Sequence, residues 1–160
     1  MRHHSNVIYP ILISSALYGV SLAVTALEFV PASNPLIPPT DLEAYIWPGW
    51  EVFVMGWLAI FNQQIAWYAN LLHVFNLGLM AGRLWRLNIA MCIFTLVVTL
   101  NTLLLFQQEI PMNGAGSTMQ LHALRIGFYF WMTSLSIPLL WNIWQCWVDF
   151  SRSSASSETV

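Results

Sequence analysis

Four long apolar runs, at residues 7–30, 49–82, 86–106 and 122–148, make up most of this chain. A helix needs about 20 mostly apolar residues to cross a hydrocarbon layer about 30 Å thick, and every run is long enough. The chain is 58% hydrophobic and 8% charged. An ordinary soluble domain carries about 25% charged residues, so the polar shell of a water-soluble fold is missing. The expectation is a single all-α unit over residues 1–150. It would be a polytopic membrane protein folded as a four-helix transmembrane bundle, with spans at about 7–30, 58–82, 86–106 and 122–148. The serine-rich end, 151–160, is expected to form a disordered cytoplasmic tail. The first run is longer than the core of a secretory signal, about 7–15 residues, and reads as a retained span.

All five basic residues are arginines. Arg2, Arg83, Arg86 and Arg152 fall at ends that an even number of spans places on one side, and the positive-inside rule makes that side the cytoplasm. The expected location is the bacterial plasma (inner) membrane, multi-pass, with both termini cytoplasmic. Asp41, Glu43, Glu51 and Glu109 collect on the outer face, where Arg125 is the one basic residue. The proline-rich stretch 31–48 reads as an irregular or extended outer loop, and 107–121, with its glycine-rich centre at 114–117, as a flexible one. Run two is too long for one span, because 49–82 as a single helix would measure about 50 Å. Residues 47–57 therefore either prolong the helix outward or form an interfacial segment, with Trp50, Phe53, Trp57 and Phe61 on one face. Trp85, Trp141, Trp144 and Trp147 fall at the inner boundary, as in an aromatic belt.

At about 100° per residue, each run gathers its polar groups on one face. The first carries Ser14, Tyr18, Ser21, Thr25 and Glu28, and the second Asn62, Gln63, Asn70, His73 and Asn76. The third carries Asn88, Cys92, Thr95, Thr99 and Thr102, and the fourth His122, Arg125, Tyr129, Thr133 and Ser136. Lipid solvates none of these groups, so the stripes are expected to face one another. Two explanations compete. The stripes are structural glue, with interhelical bonds averaging about 0.6 kcal/mol each, or they line a path or pocket. Glue is favoured along most of the length, and function gains weight at ionisable residues, because charge in hydrocarbon is costly.

Glu28, Asn62, Gln63, Asn70, His73, Asn76, His122 and Arg125 make up the candidate intramembrane polar cluster. At its outer end Glu28 and Arg125 either pair, with Gln63 and His122 close by, or reach separately to the headgroups. His73 is deeper, and no second histidine shares its depth, which argues against haem. A hydrogen-bonded histidine, flanked by Asn70 and Asn76, is expected instead. Gly78 and Gly82 form a Gly-x-x-x-Gly step, a candidate helix-packing surface within the chain or in a homo-oligomer. Pro138 is expected to bend the fourth helix, with Ser134 or Ser136 compensating locally.

A net charge of −2 with no lysine leaves no basic stripe for nucleic acid. Cys92 and Cys146 belong to no redox pair or metal-ligand spacing and read as small buried apolar residues. No phosphate loop, zinc-protease helix or nucleophile elbow occurs. No catalytic, cofactor-binding or metal residue is assigned, and no cofactor is expected. Ala66-Trp67-Tyr68-Ala69-Asn70, followed by Gly82-Arg83 and Tyr129-Phe130-Trp131-Met132, resembles small uncharacterised bacterial inner-membrane proteins with four predicted spans. The resemblance covers most of runs two to four and implies no activity. The functional expectation is a non-enzymatic structural or accessory membrane component whose partners are the lipid bilayer and further copies or other membrane subunits. One alternative is a small transporter or channel using the polar faces of spans two and four. Another, with no residue constellation behind it, is a lipid- or quinone-binding enzyme.

Overall fold

The computed structural model describes residues 6–32, 44–111 and 118–157. In chain order these form α1 (Ile8–Ala23), β1 (Thr25–Pro31), β2 (Tyr45–Pro48), α2 (Gly49–Met55), α3 (Ala69–Ala81), α4 (Trp85–Leu100), β3 (Ile110–Pro111), β4 (Thr118–Leu124) and α5 (Ile126–Ser157). Short 3-10 segments at Gly56–Asn62, Ala66–Tyr68 and Asn101–Phe106 extend or join α2, α3 and α4. Arg2, Asp41, Glu43 and the glycine-rich 114–117 stretch lie outside the described residues.

The all-α four-helix transmembrane bundle is therefore corrected to a mixed α/β fold. Its four strands form one antiparallel sheet in the order β2-β1-β4-β3. Among the described residues, one helix is long and apolar enough to cross a membrane: Trp85–Phe106, with 22 residues and a mean hydropathy of 2.4. The apolar helix Ile8–Ala23 is shorter.

Each departure has a local cause. In the first run Val24 adopts an extended conformation (φ −109°, ψ 167°) and ends α1, and β-branched Thr25 opens β1. Ala26, Leu27, Glu28 and Phe29 are consecutively buried, as in a strand covered on both faces. At the junction of the 107–121 loop with the fourth run, Met119 and Leu121 are buried while His122 is exposed, the two-residue alternation of a strand packed on one side. The helix starts only at Ile126. Run two breaks where the 3-10 segment Gly56–Asn62 ends at Gln63, whose backbone is left-handed (φ 60°). Segment 47–57 therefore does not continue into α3. The far end of α5 departs too, because the helix runs to Ser157, into the tail expected to be disordered.

The sheet encloses an apolar core of Ala26, Leu27, Phe29, Leu105, Met119 and Leu121, closed by Trp47, Val52 and Phe128. The helical layer is built differently. There α5 packs against α1 and α4, and α3 against α4. Ser14, Asn76, Asn88, Thr95, Thr99, Ser134 and Asn142 are all fully buried, while Val74, Leu140, Trp147 and Phe150 are each more than 60% exposed. Polar groups are inside and large apolar groups outside. Because α3 and α4 are joined by a tight turn at Arg83, and α5 leaves the sheet antiparallel to α4, that turn and the end of α5 lie away from the sheet. Arg83, Arg86, Cys146 and Asp149 line one shallow depression there.

Candidate functional site

The predicted polar cluster separates into two zones. Near the sheet, Arg125 forms an ion pair with Glu28 on the central strand. The Arg125 amide also donates to the Ala26 carbonyl (2.9 Å), so the first residues of α5 are tied to β1 twice. Gln63 and His122 are exposed, and among the described residues no hydrogen bond or ion pair links them to Glu28 or Arg125. Asn62, half-buried at the end of its 3-10 segment, does not join them either.

Deeper in the helical layer the predicted residues do meet partners. Asn70 Oδ1 accepts from the Tyr18 hydroxyl (3.0 Å) and from Trp131 Nε1 (2.8 Å), joining α1, α3 and α5 through one atom. His73 stacks on Tyr18 and has Nε2 3.3 Å from the Ser14 hydroxyl. That hydroxyl donates its single proton to the Ser134 carbonyl (2.8 Å), so His73 Nε2 is the donor to Ser14. The hydrogen-bond partner of His73 is thus Ser14 on α1, while the flanking Asn70 and Asn76 bond elsewhere. The Ser134 carbonyl is the one that Pro138, lacking an N–H, cannot reach four residues on. Compensation at Pro138 therefore comes across the helix interface from Ser14, whereas the Ser134 and Ser136 hydroxyls bond to Trp131 and Met132 carbonyls.

Asn76 Nδ2 donates to Thr95 Oγ1 (2.8 Å), and Asn88 Nδ2 donates to the Asn76 carbonyl (2.9 Å). Cys92 and Asn142 continue this chain of contacts towards α5. The glycine step behaves otherwise. A Cβ on Gly78 would meet nothing within 4 Å, and one on Gly82 would find only ordinary contacts inside its own turn. Neither glycine mediates close helix packing within this chain. The left-handed residue that ends α3 is Arg83 (φ 60°), next to Gly82.

Between the two zones lies a cleft that the sequence reading missed. It encloses about 690 Å³ of non-atom space, part of it open to the outside, bounded by the sheet, α2 and the start of α5. Six of its lining positions are glycine or alanine: Ala26, Gly49, Gly56, Ala59, Ala66 and Gly127. Gln64, only 3% exposed, lines it from the broken backbone of run two. Its Nε2 donates to Gln108 Oε1, and its own Oε1 has no partner. Asn101 supports the same break by accepting from the amides of Ile65 (2.6 Å) and Ala66 (3.2 Å). Trp67 Nε1 donates to the Phe53 carbonyl (2.7 Å), pinning the opposite wall. The sequence signal was the stretch Asn62-Gln63-Gln64, three amides interrupting an apolar run. Read on a helical wheel, it placed the wrong two of the three on the polar face.

No group of three or more histidine, cysteine or acidic residues among the described residues could hold a metal ion. Comparison with protein-family models, with curated proteins and with solved structures finds no match. The site must be read from its own chemistry.

Proposed function

We propose that this chain is a non-enzymatic structural or accessory component of a bacterial plasma membrane, with the outer faces of its helices in lipid and its sheet at the outer surface. The observation that carries this reading is the inverted polarity of the helical layer, with amides and hydroxyls inside and large apolar side chains outside. In water such a layer presents an apolar surface far larger than monomeric proteins tolerate. In lipid the same arrangement hides the groups that hydrocarbon cannot solvate. Exposed Trp50 and Trp57 near the sheet, and Trp144 and Trp147 at the far end, suit the two headgroup levels. The positive-inside rule assigns the Arg83 and Arg86 turn to the cytoplasm and hence the sheet to the outside.

An accessory role is favoured over transport because Asn70, His73 and Asn76, which a path along spans two and four would use, are each bonded to a neighbouring helix. The test is extraction. The chain is expected to stay with membranes through an alkaline carbonate wash, and to emerge in a gentle detergent bound to a further subunit or copy by native mass spectrometry. Release by carbonate overturns the membrane reading. A lone chain in every gentle detergent overturns the accessory role.

A further inference from the structure

We propose that the cleft under the sheet binds an uncharged lipid alcohol, a long apolar chain ending in a hydroxyl that bonds to Gln64. The inference rests on the membrane reading above. Of the roughly 690 Å³ of non-atom space, which includes the open mouth, about 110 Å³ can be reached by the centre of a water-sized sphere. Leu22, Leu27, Val52, Phe53, Leu105 and Phe128 supply most of an apolar lining that contains no acidic, basic or histidine side chain. A charged headgroup would lose its hydration there with nothing to replace it. An uncharged ligand is therefore selected.

Gln64 sets the head. Leaving one polar atom of a buried amide unpaired is costly, and of Gln64, Asn76 and Asn142, which each do so, Gln64 is the one that lines the cleft. If Gln64 and Gln108 are both turned over, the unpaired group becomes the Gln64 NH₂ instead of its oxygen. A hydroxyl answers either arrangement, because it both donates and accepts. A carbonyl or an ether answers only one. The backbone points the same way: non-helical chain at membrane depth is tolerated where it lines a cavity. The broken chain at 63–65 does so through Gln64, and the 3-10 segments on either side add Gly56, Ala59, Ala66 and Trp67. Phe53, on the wall, is itself 39% exposed, and Trp57, Leu58 and Phe61 beside it are also exposed. An apolar chain can therefore enter sideways from lipid, with its hydroxyl leading.

The test is photolabelling of the detergent-purified full chain with a diazirine-bearing hexadecanol. Adducts are expected on 49–67 and 127–131, displaced by hexadecanol but not by hexadecane or palmitate. Gln64→Leu keeps the volume and removes the polar group, and is expected to reduce labelling roughly three- to tenfold. Ala59→Phe is expected to abolish it by filling the cleft. If Ala59→Phe does not fold, Gln64→Leu decides. Unchanged labelling in Gln64→Leu, equal displacement by hexadecane, or adducts scattered over the outer faces of α1 and α4 overturns the proposal. Carbonate extraction separates the two failures: a chain that stays in the membrane but loses only the labelling pattern leaves the membrane reading intact.

Discussion

Glu28 and Arg125 are unequal partners, because only 10% of the Glu28 side chain is exposed against 49% of the Arg125 side chain. Removing the arginine strands a carboxylate inside the sheet, where β2 and β4 flank it through Ile46 and Ala123. Removing the glutamate leaves a guanidinium that turns to water. Arg125→Gln is thus expected to destabilise by about 1–3 kcal/mol, between the values for exposed and fully buried pairs, and Glu28→Gln by clearly less. The double substitution should cost less than the sum, since the stranded charge is then gone. Thermal unfolding of the three variants in detergent measures this, and strict additivity would sink the coupling. The sequence offered the pair as one of two alternatives, because opposite charges in apolar runs either meet or reach separately to the headgroups. Gln64 was not legible, because an amide poses no such choice until its neighbours are known.

Helix and strand junctions carry the next level of constraint. A Cβ on Gly49 would lie 2.0 Å from the Ser21 carbonyl oxygen and 2.9 Å from Leu22 Cα, both backbone atoms of α1. Gly49→Ala must push α2 off the end of α1, and a loss of about 1–3 kcal/mol is expected. Gly78→Ala meets nothing within 4 Å and improves helix propensity by about 0.8–1 kcal/mol, so stability should hold or rise. Melting curves of the two variants separate these cases. A destabilised Gly78→Ala would show that the exposed face of α3 packs on something outside this chain. The same junctions explain what periodicity could and could not reveal. Run three, 86–106, corresponds to α4 and the 3-10 segment that extends it, which together cover Trp85–Phe106. Thr25 and Glu28, three apart, looked like one helical face, yet a strand buried on both sides gives the same apolar record. β1 becomes recognisable only beside its partners at 45–48 and 118–124, and the nearer of these hid in a proline-rich stretch. Local pattern cannot announce a distant partner. In β4 the alternation Met119-Gln120-Leu121-His122 straddles the boundary between the 107–121 loop and the long run behind it, so neither segment alone displays it.

At the scale of the whole molecule, one chain follows two opposite rules of polarity. The sheet keeps an apolar core of Phe29, Leu105, Met119 and Leu121 under strands whose outer positions include His122, the arrangement of a fold facing water. The helical layer inverts that order, with Asn76, Asn88 and Asn142 at its centre. The boundary between the two regimes falls at the cleft, where run two loses its helix and the Gln64 side-chain oxygen has no partner. The proposed membrane placement gives that change a reason, with lipid around the helices and water over the sheet. The proposed orientation then makes a directional prediction. In a Cys146→Ser background, His122→Cys should react with a membrane-impermeant maleimide in intact cells. Ser151→Cys, at the opposite end of α5, should react only after the membrane is opened. Cys92 is fully buried and adds no background. Labelling of both positions from outside would mean that the helical layer does not separate two compartments. The reverse pattern would keep the membrane but turn the molecule over, against the arginines at 83 and 86.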